Sequence, residues 1–101
     1  MNYIDDLALK IEHELPVQLR PDDHSTELYR LYGLLVLLKG EHCTLQDVHD
    51  AWSAWMTPQQ PHHKALIPFP NLTAEQQEQD RPYLEAIQRV AKQGFRDPSG
   101  S

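Results

Sequence analysis

Apolar residues recur at helical spacing in four stretches of this chain, separated by prolines and polar turns. From Tyr3 to Leu15 the positions Ile4, Leu7, Ala8, Ile11 and Leu15 share one helical face, with acids and Lys10 between them. That spacing predicts an amphipathic helix, stopped by Pro16, whose ring cannot continue a helix. Val17 to Asp23, with Pro21 and two adjacent aspartates, reads as a connecting loop. Ser25 and Thr26 offer N-caps to a second helix that runs to about Lys39, where Gly40 supplies the stop. This helix is apolar nearly all round, through Leu28, Leu31, Leu34, Leu35, Val36, Leu37 and Leu38. Such a helix is either the buried centre of its domain or hides a second face in an oligomer. Gly33 in its middle costs about 1 kcal/mol relative to alanine, which close approach of a neighbouring helix would explain.

Thr44 and Asp47 resemble a capping box with Asp in place of Glu, opening a third helix. Leu45, Val48, Trp52 and Trp55 form its expected core stripe, and Pro58 ends it. Residues 56–70 hold Pro58, Pro61, Pro68 and Pro70 together with His62 and His63, so regular helix is excluded. Their apolar content predicts an ordered loop packed by Leu66, Ile67 and Phe69. Thr73 with Gln76 makes a second capping box that starts a short turn through Glu78. Asp80, directly before Arg81 and Pro82, looks like a fresh N-cap. Tyr83, Leu84, Ile87, Val90 and Ala91 are the stripe of the last helix, closed by Gly94. The expected fold is therefore all-α, a compact bundle of four main helices with a long ordered Pro-rich loop between the third and the last. Residues 1–95 form one helical domain and residues 96–101 a frayed tail.

Composition supports one core and little more. A chain of 101 residues buries roughly 60–65% of the surface it exposes when unfolded. The one cysteine, Cys43, has no intramolecular partner, which favours a reducing compartment. Acids stand near the N-terminus where a signal peptide would carry positive charge, so the expected location is cytoplasmic. The longest apolar run, Leu34 to Leu38, is far short of the roughly 20 residues that span a bilayer. A net charge of −6 with scattered cations disfavours duplex nucleic acid as a partner. A small nucleotide is not excluded, because one well-placed cation can hold a phosphate group.

Candidate chemistry is sparse. The six histidines show no ligand-like spacing, and no metal or cofactor is expected. Cys43 reads as a small buried residue rather than a nucleophile, since His42 beside it in the chain faces elsewhere. The paired acids, such as Asp47 with Asp50, sit where helix starts favour negative charge and define no acid–base pair. No enzyme active site is expected. The informative segment is His49 to Trp55, where Trp52 falls between core and edge and His49 lies about one turn away. Two readings stand. Either the tryptophans anchor the core and His49 satisfies a loop carbonyl, or His49 and Trp52 form one wall of a pocket for a flat ring, with the Pro-rich loop opposite.

The order His49-x-x-Trp52, then His62 or His63, then Leu66-Ile67-Pro68-Phe69-x-x-Leu72, then Asp80-Arg81 resembles the RyR domain. That module is named from ryanodine receptors and also occurs in bacterial and phage proteins. The RyR-like part covers residues 44–92, and the chain is also similar to short actinobacterial and phage proteins of unknown function. Where the family carries a Gly-Trp-x-Tyr-Gly hairpin after the tryptophan, this chain has only Met56 to Pro61. The resemblance implies a non-enzymatic binding module for a small nucleotide-like ligand, acting as a sensor or sequestering protein. Its implied site is His49, Trp52, His62, Pro68, Asp80 and Arg81, with Trp52 stacking a base and Arg81 pairing with phosphate or with Asp80. For Asp80 and Arg81 the alternative is an N-cap and a salt bridge that locks the loop. For the whole protein the alternative is protein–protein interaction, as an accessory factor or a homodimer through the apolar second helix, with no small ligand.

Overall fold

A computed structural model describes residues 2–19 and 25–93. The expected tail at 96–101, the stop at Gly94, and Pro21 to Asp23 of the first loop lie outside the described residues. Five α-helices follow in order: α1 (Tyr3–Glu14), α2 (Thr26–Leu38), α3 (Leu45–Met56), the short α4 (Ala74–Glu78) and α5 (Arg81–Lys92). The fold is all-α, a bundle of four main helices, with no strand among the described residues. No helix among them is long and apolar enough to cross a membrane.

The expected capping boxes of α3 and α4 form, whereas Ser25 precedes α2 without a side-chain capping bond. Thr44 caps α3 through the backbone N–H of Asp47, and Asp47 returns the bond to the Thr44 N–H. Thr73 and Gln76 do the same for α4, and Asn2 with Asp5 forms a third reciprocal box at α1. Each box satisfies donors that a helix leaves orphaned. Gly40 adopts φ 57° just past α2, a conformation that favours glycine.

The core runs through Leu7, Ile11, Tyr32, Val36, Val48, Ile87 and Val90, all nearly inaccessible to water. α1 packs along α2 and against α5, and α2 also meets α3. Gly33 sits at the α1–α2 crossing, where an added Cβ would lie 3.3 Å from Leu7 Cβ and 3.4 Å from the Ile4 carbonyl oxygen. Close helix approach accounts for the glycine. The far ends are tied by polar bonds. Arg89 donates to the Glu14 carboxylate at 2.8 Å and to its carbonyl at 2.9 Å, holding that carboxyl below the usual range. Gln88 reaches the Cys43 carbonyl at 3.2 Å.

Two stripes differ from the sequence expectation. On α2 the buried residues are Leu28, Tyr29, Tyr32, Gly33 and Val36, while Leu34 is 41% and Leu38 70% exposed. The helix is central on the sides that α1, α3 and α5 cover, and these leave Leu34 and Leu38 on the open side. On α3 the buried residues are Val48, His49 and Met56, and both tryptophans are only half-buried. The helix is rotated so that His49, rather than either indole, points inward.

Candidate functional site

His49 enters the interior with its ring paired to the long loop. Its Nε2 donates to the Ile67 carbonyl at 2.8 Å, with the Ser53 hydroxyl 3.4 Å away. A carbonyl can only accept, so the hydrogen bond assigns the proton to Nε2. Gln77 fastens the other end of the loop, donating to the carbonyls of Phe69 at 3.1 Å and Leu72 at 3.3 Å. The hydrophobic anchor of the loop is Leu72, 7% exposed, whereas Ile67 is 39% exposed and contributes its backbone instead.

Trp52 stands between two chambers of about 300 and 280 Å³ that share Trp52, Gln79 and Asp80 in their walls. His49 stacks with its indole at a centroid distance of 5.8 Å, and His63 meets it edge-on at 5.1 Å. The Nδ1 of His63 accepts from the Ala65 N–H at 3.0 Å, which fixes the ring against the indole. The smaller chamber is completed by Ala65, Leu72 and Gln76, the larger by residues that include Tyr29, Tyr32 and Tyr83.

Asp80 occupies the N-cap position of α5 but makes no capping bond with its side chain. The reason is local. Pro82 stands where the next capping donor would be, and the Tyr83 N–H is taken by the Asp80 carbonyl at 3.1 Å. The carboxyl is thus half-buried, lines both chambers, and has neither hydrogen bond nor ion pair among the described residues. Burial raises its pKa, and the nearby His49 opposes that rise. With the folded value above the ordinary one of 3.8, stability at this carboxyl is present in acid and is lost as pH rises through the folded value. At neutral pH the fold therefore carries a cost here, as binding sites often do.

The remaining expected site residues fall elsewhere. Arg81 forms no pair with Asp80; it is exposed and grips Glu78, with contacts at 2.9, 3.0 and 3.1 Å. His62 is exposed, and His63 takes the place at the chamber. Pro68 is exposed and precedes the 3-10 turn Phe69–Asn71 without lining either chamber. The structure thus brings together His49, Trp52 and Asp80, and leaves His62, Pro68 and Arg81 outside. Tyr29 and Tyr32, which the sequence pattern does not single out, interrupt the leucine-rich run of α2. Their polar tips at i and i+3 on an apolar helix are the signal that could have found them. Cys43 is buried, and burial pushes its thiol up to about 11, away from nucleophilic character at neutral pH. Among the described residues no group of three or more potential ligands is placed to hold a metal ion.

A larger cavity of about 740 Å³ lies elsewhere, lined by Ile4, Leu31, Leu34, Ala54, Trp55 and Pro58 with Glu27, Arg30 and Gln59. Its Arg30 is already paired with Asp5 at 2.7 Å. It is an open apolar groove, not a polar chamber.

Fold and site together define a small all-α domain with an aromatic and acidic pocket between its third helix, its long loop and the start of its last helix. The chain belongs to the DUF7701 family, a domain of unknown function, whose model matches residues 2–92. That match takes in the leading helices α1 and α2 as well as the site. No curated protein and no solved structure matches the chain.

Proposed function

We propose that this domain is a non-enzymatic binding module for a small nucleotide-like ligand, held by its flat ring at Trp52. The observation that carries this reading is the half-buried indole beside a carboxyl that the fold leaves unpaired among the described residues. An indole face stacks any base, and Asp80 can accept an exocyclic N–H. The RyR-like order of His49, Trp52 and Asp80 lends support, since these residues meet at the same chambers. Recognition centres on the base rather than on phosphate, because Arg81 lines neither chamber. Binding is favoured over catalysis by the engagement of His49 with a backbone carbonyl and by the inert Cys43. A buried lone thiol also suits a reducing, cytoplasmic setting.

Thermal unfolding against mononucleotides, cyclic nucleotides, nucleosides and ADP-ribose tests the reading. A ligand at about 100 times its Kd adds roughly 2.7 kcal/mol and moves the midpoint by several degrees. A panel without any shift would leave His49 and Trp52 as packing residues.

The apolar groove favours a second reading, in which the partner is another copy of the chain. Leu31, Leu34, Ala54 and Trp55 supply an apolar centre, and Glu27 and Arg30 at the rim give it one charge of each sign. Across a two-fold axis such a rim is self-complementary. Light scattering at high concentration then returns twice the chain mass of 11.7 kDa; the monomer mass would count against this reading.

A further inference from the structure

Three phenol rings and one indole line the chamber of about 300 Å³ beside Asp80. Tyr29 and Tyr32 meet edge to face with centroids 5.4 Å apart, and Tyr32 and Tyr83 lie 6.0 Å apart. Tyr32 is only 2% exposed, and its hydroxyl has no hydrogen bond among the described residues. Yet no fully enclosed side-chain nitrogen or oxygen among them lacks a partner. The Tyr32 hydroxyl therefore opens onto the chamber that the residue lines. A buried polar group that faces a cavity without a protein partner completes its bonding with water or with a ligand that displaces the water.

The chemistry of that ligand follows from its surroundings. Aromatic faces attract cations through their quadrupoles, and phenol oxygens accept N–H donors. A carboxylate in a partly desolvated wall attracts a cation more strongly than it would in water. Arg81, the cation nearest Asp80 in sequence, is turned to Glu78, which leaves the Asp80 carboxyl without an ion pair among the described residues. The chain's net charge of −6 adds a long-range pull of the same sign.

The geometry points to an organic ammonium group as the occupant of this chamber, its charge held between Asp80 and the rings of Tyr29, Tyr32 and Tyr83. A flat ring attached to that group reaches Trp52, the wall shared with the neighbouring chamber. The inference rests on the reading of Trp52 as a ligand wall and adds the charge class of the ligand. It sets a ring that carries an amine above the same ring without one.

Calorimetric titration of the full chain with phenethylamine and with phenethyl alcohol isolates the charge, because the two differ only in amine against hydroxyl. The amine is expected to bind at least about tenfold tighter. In the Asp80→Asn variant that preference is expected to collapse to within about threefold, with the alcohol little changed. Asparagine is close in shape to aspartate and serves as well at an N-cap, and an unchanged helical spectrum shows that the variant is folded. Tyr32→Phe gives an independent check, weakening the amine more than the alcohol. Equal affinity for amine and alcohol, or an amine preference that survives Asp80→Asn, overturns the inference. Adenosine in the same titrations separates the two ideas. Trp52-dependent binding of adenosine without any amine preference sinks the ammonium proposal and leaves the ring-binding reading standing. No binding of any of the three sinks both.

Discussion

Ile87→Ala is expected to remove about 2–5 kcal/mol of stability, the usual range for cutting a fully buried aliphatic side chain to alanine. Ile87 is 0% exposed and sits on the helix that meets α1, α2 and α3. Its neighbours in the core, Ile11, Val48 and Val90, are equally inaccessible, and a close-packed interior cannot collapse freely around a lost side chain. A domain of this size has roughly 5–15 kcal/mol in total, so one substitution removes a large share of the margin. Urea unfolding followed by circular dichroism checks it. The midpoint should fall with the slope unchanged, because the surface exposed on unfolding is nearly the same. Leu38→Ala is the contrast: at 70% exposed, it should change stability by no more than about 0.5 kcal/mol. Similar losses in the two variants would mean that α2 and α5 do not present the faces described.

Trp52→Leu is expected to weaken nucleoside binding roughly 10- to 100-fold, which is what losing one base-stacking aromatic of about 1–3 kcal/mol implies. Leucine keeps an apolar body on α3 but offers no flat face. The indole is half-buried, pairs with the rings of His49 and His63 and packs against the edge of the core, so its removal both opens the two chambers into each other and loosens that edge. A folded helical spectrum should survive, at a stability cost well below that of Ile87→Ala. Trp55→Leu, in the separate apolar groove, should leave affinity intact. An affinity that ignored Trp52 and followed Trp55 would move the site to the groove.

Much of the fold was legible because its signals are local. The Thr44–Asp47 and Thr73–Gln76 boxes, the stop at Gly40 and the close approach at Gly33 each depend on residues within a turn or on a single missing Cβ. What resisted reading was rotation. Leucines lie almost all round α2, so the sequence pattern alone does not choose between the face with Tyr29 and Tyr32 and the face with Leu34 and Leu38. On α3, Trp52 and Trp55 competed with His49 for the interior. A histidine goes inside only when a partner such as the Ile67 carbonyl is waiting, and that partner is 18 residues away.

The site was legible to the same extent. His49, Trp52 and Asp80 meet in space, but the pairing of neighbouring residues misled. Asp80 and Arg81 are adjacent in sequence and turn to different tasks, because Pro82 removes a capping donor and Glu78, one turn earlier, captures the guanidinium. His63 rather than His62 reaches the chamber, a choice made by the turn that ends in the Ala65 N–H bond.

The central claim is that a ligand's ring docks on Trp52, and the fluorescence of Trp52 reports on it most directly. The chain has two tryptophans, so Trp55→Phe leaves Trp52 as the single indole without touching the chambers. Titration of this variant with the nucleosides should quench or shift its emission saturably with at least one of them. Emission that stays flat across the whole set, in a folded variant, would contradict the claim and leave Trp52 as packing between the loop and α3.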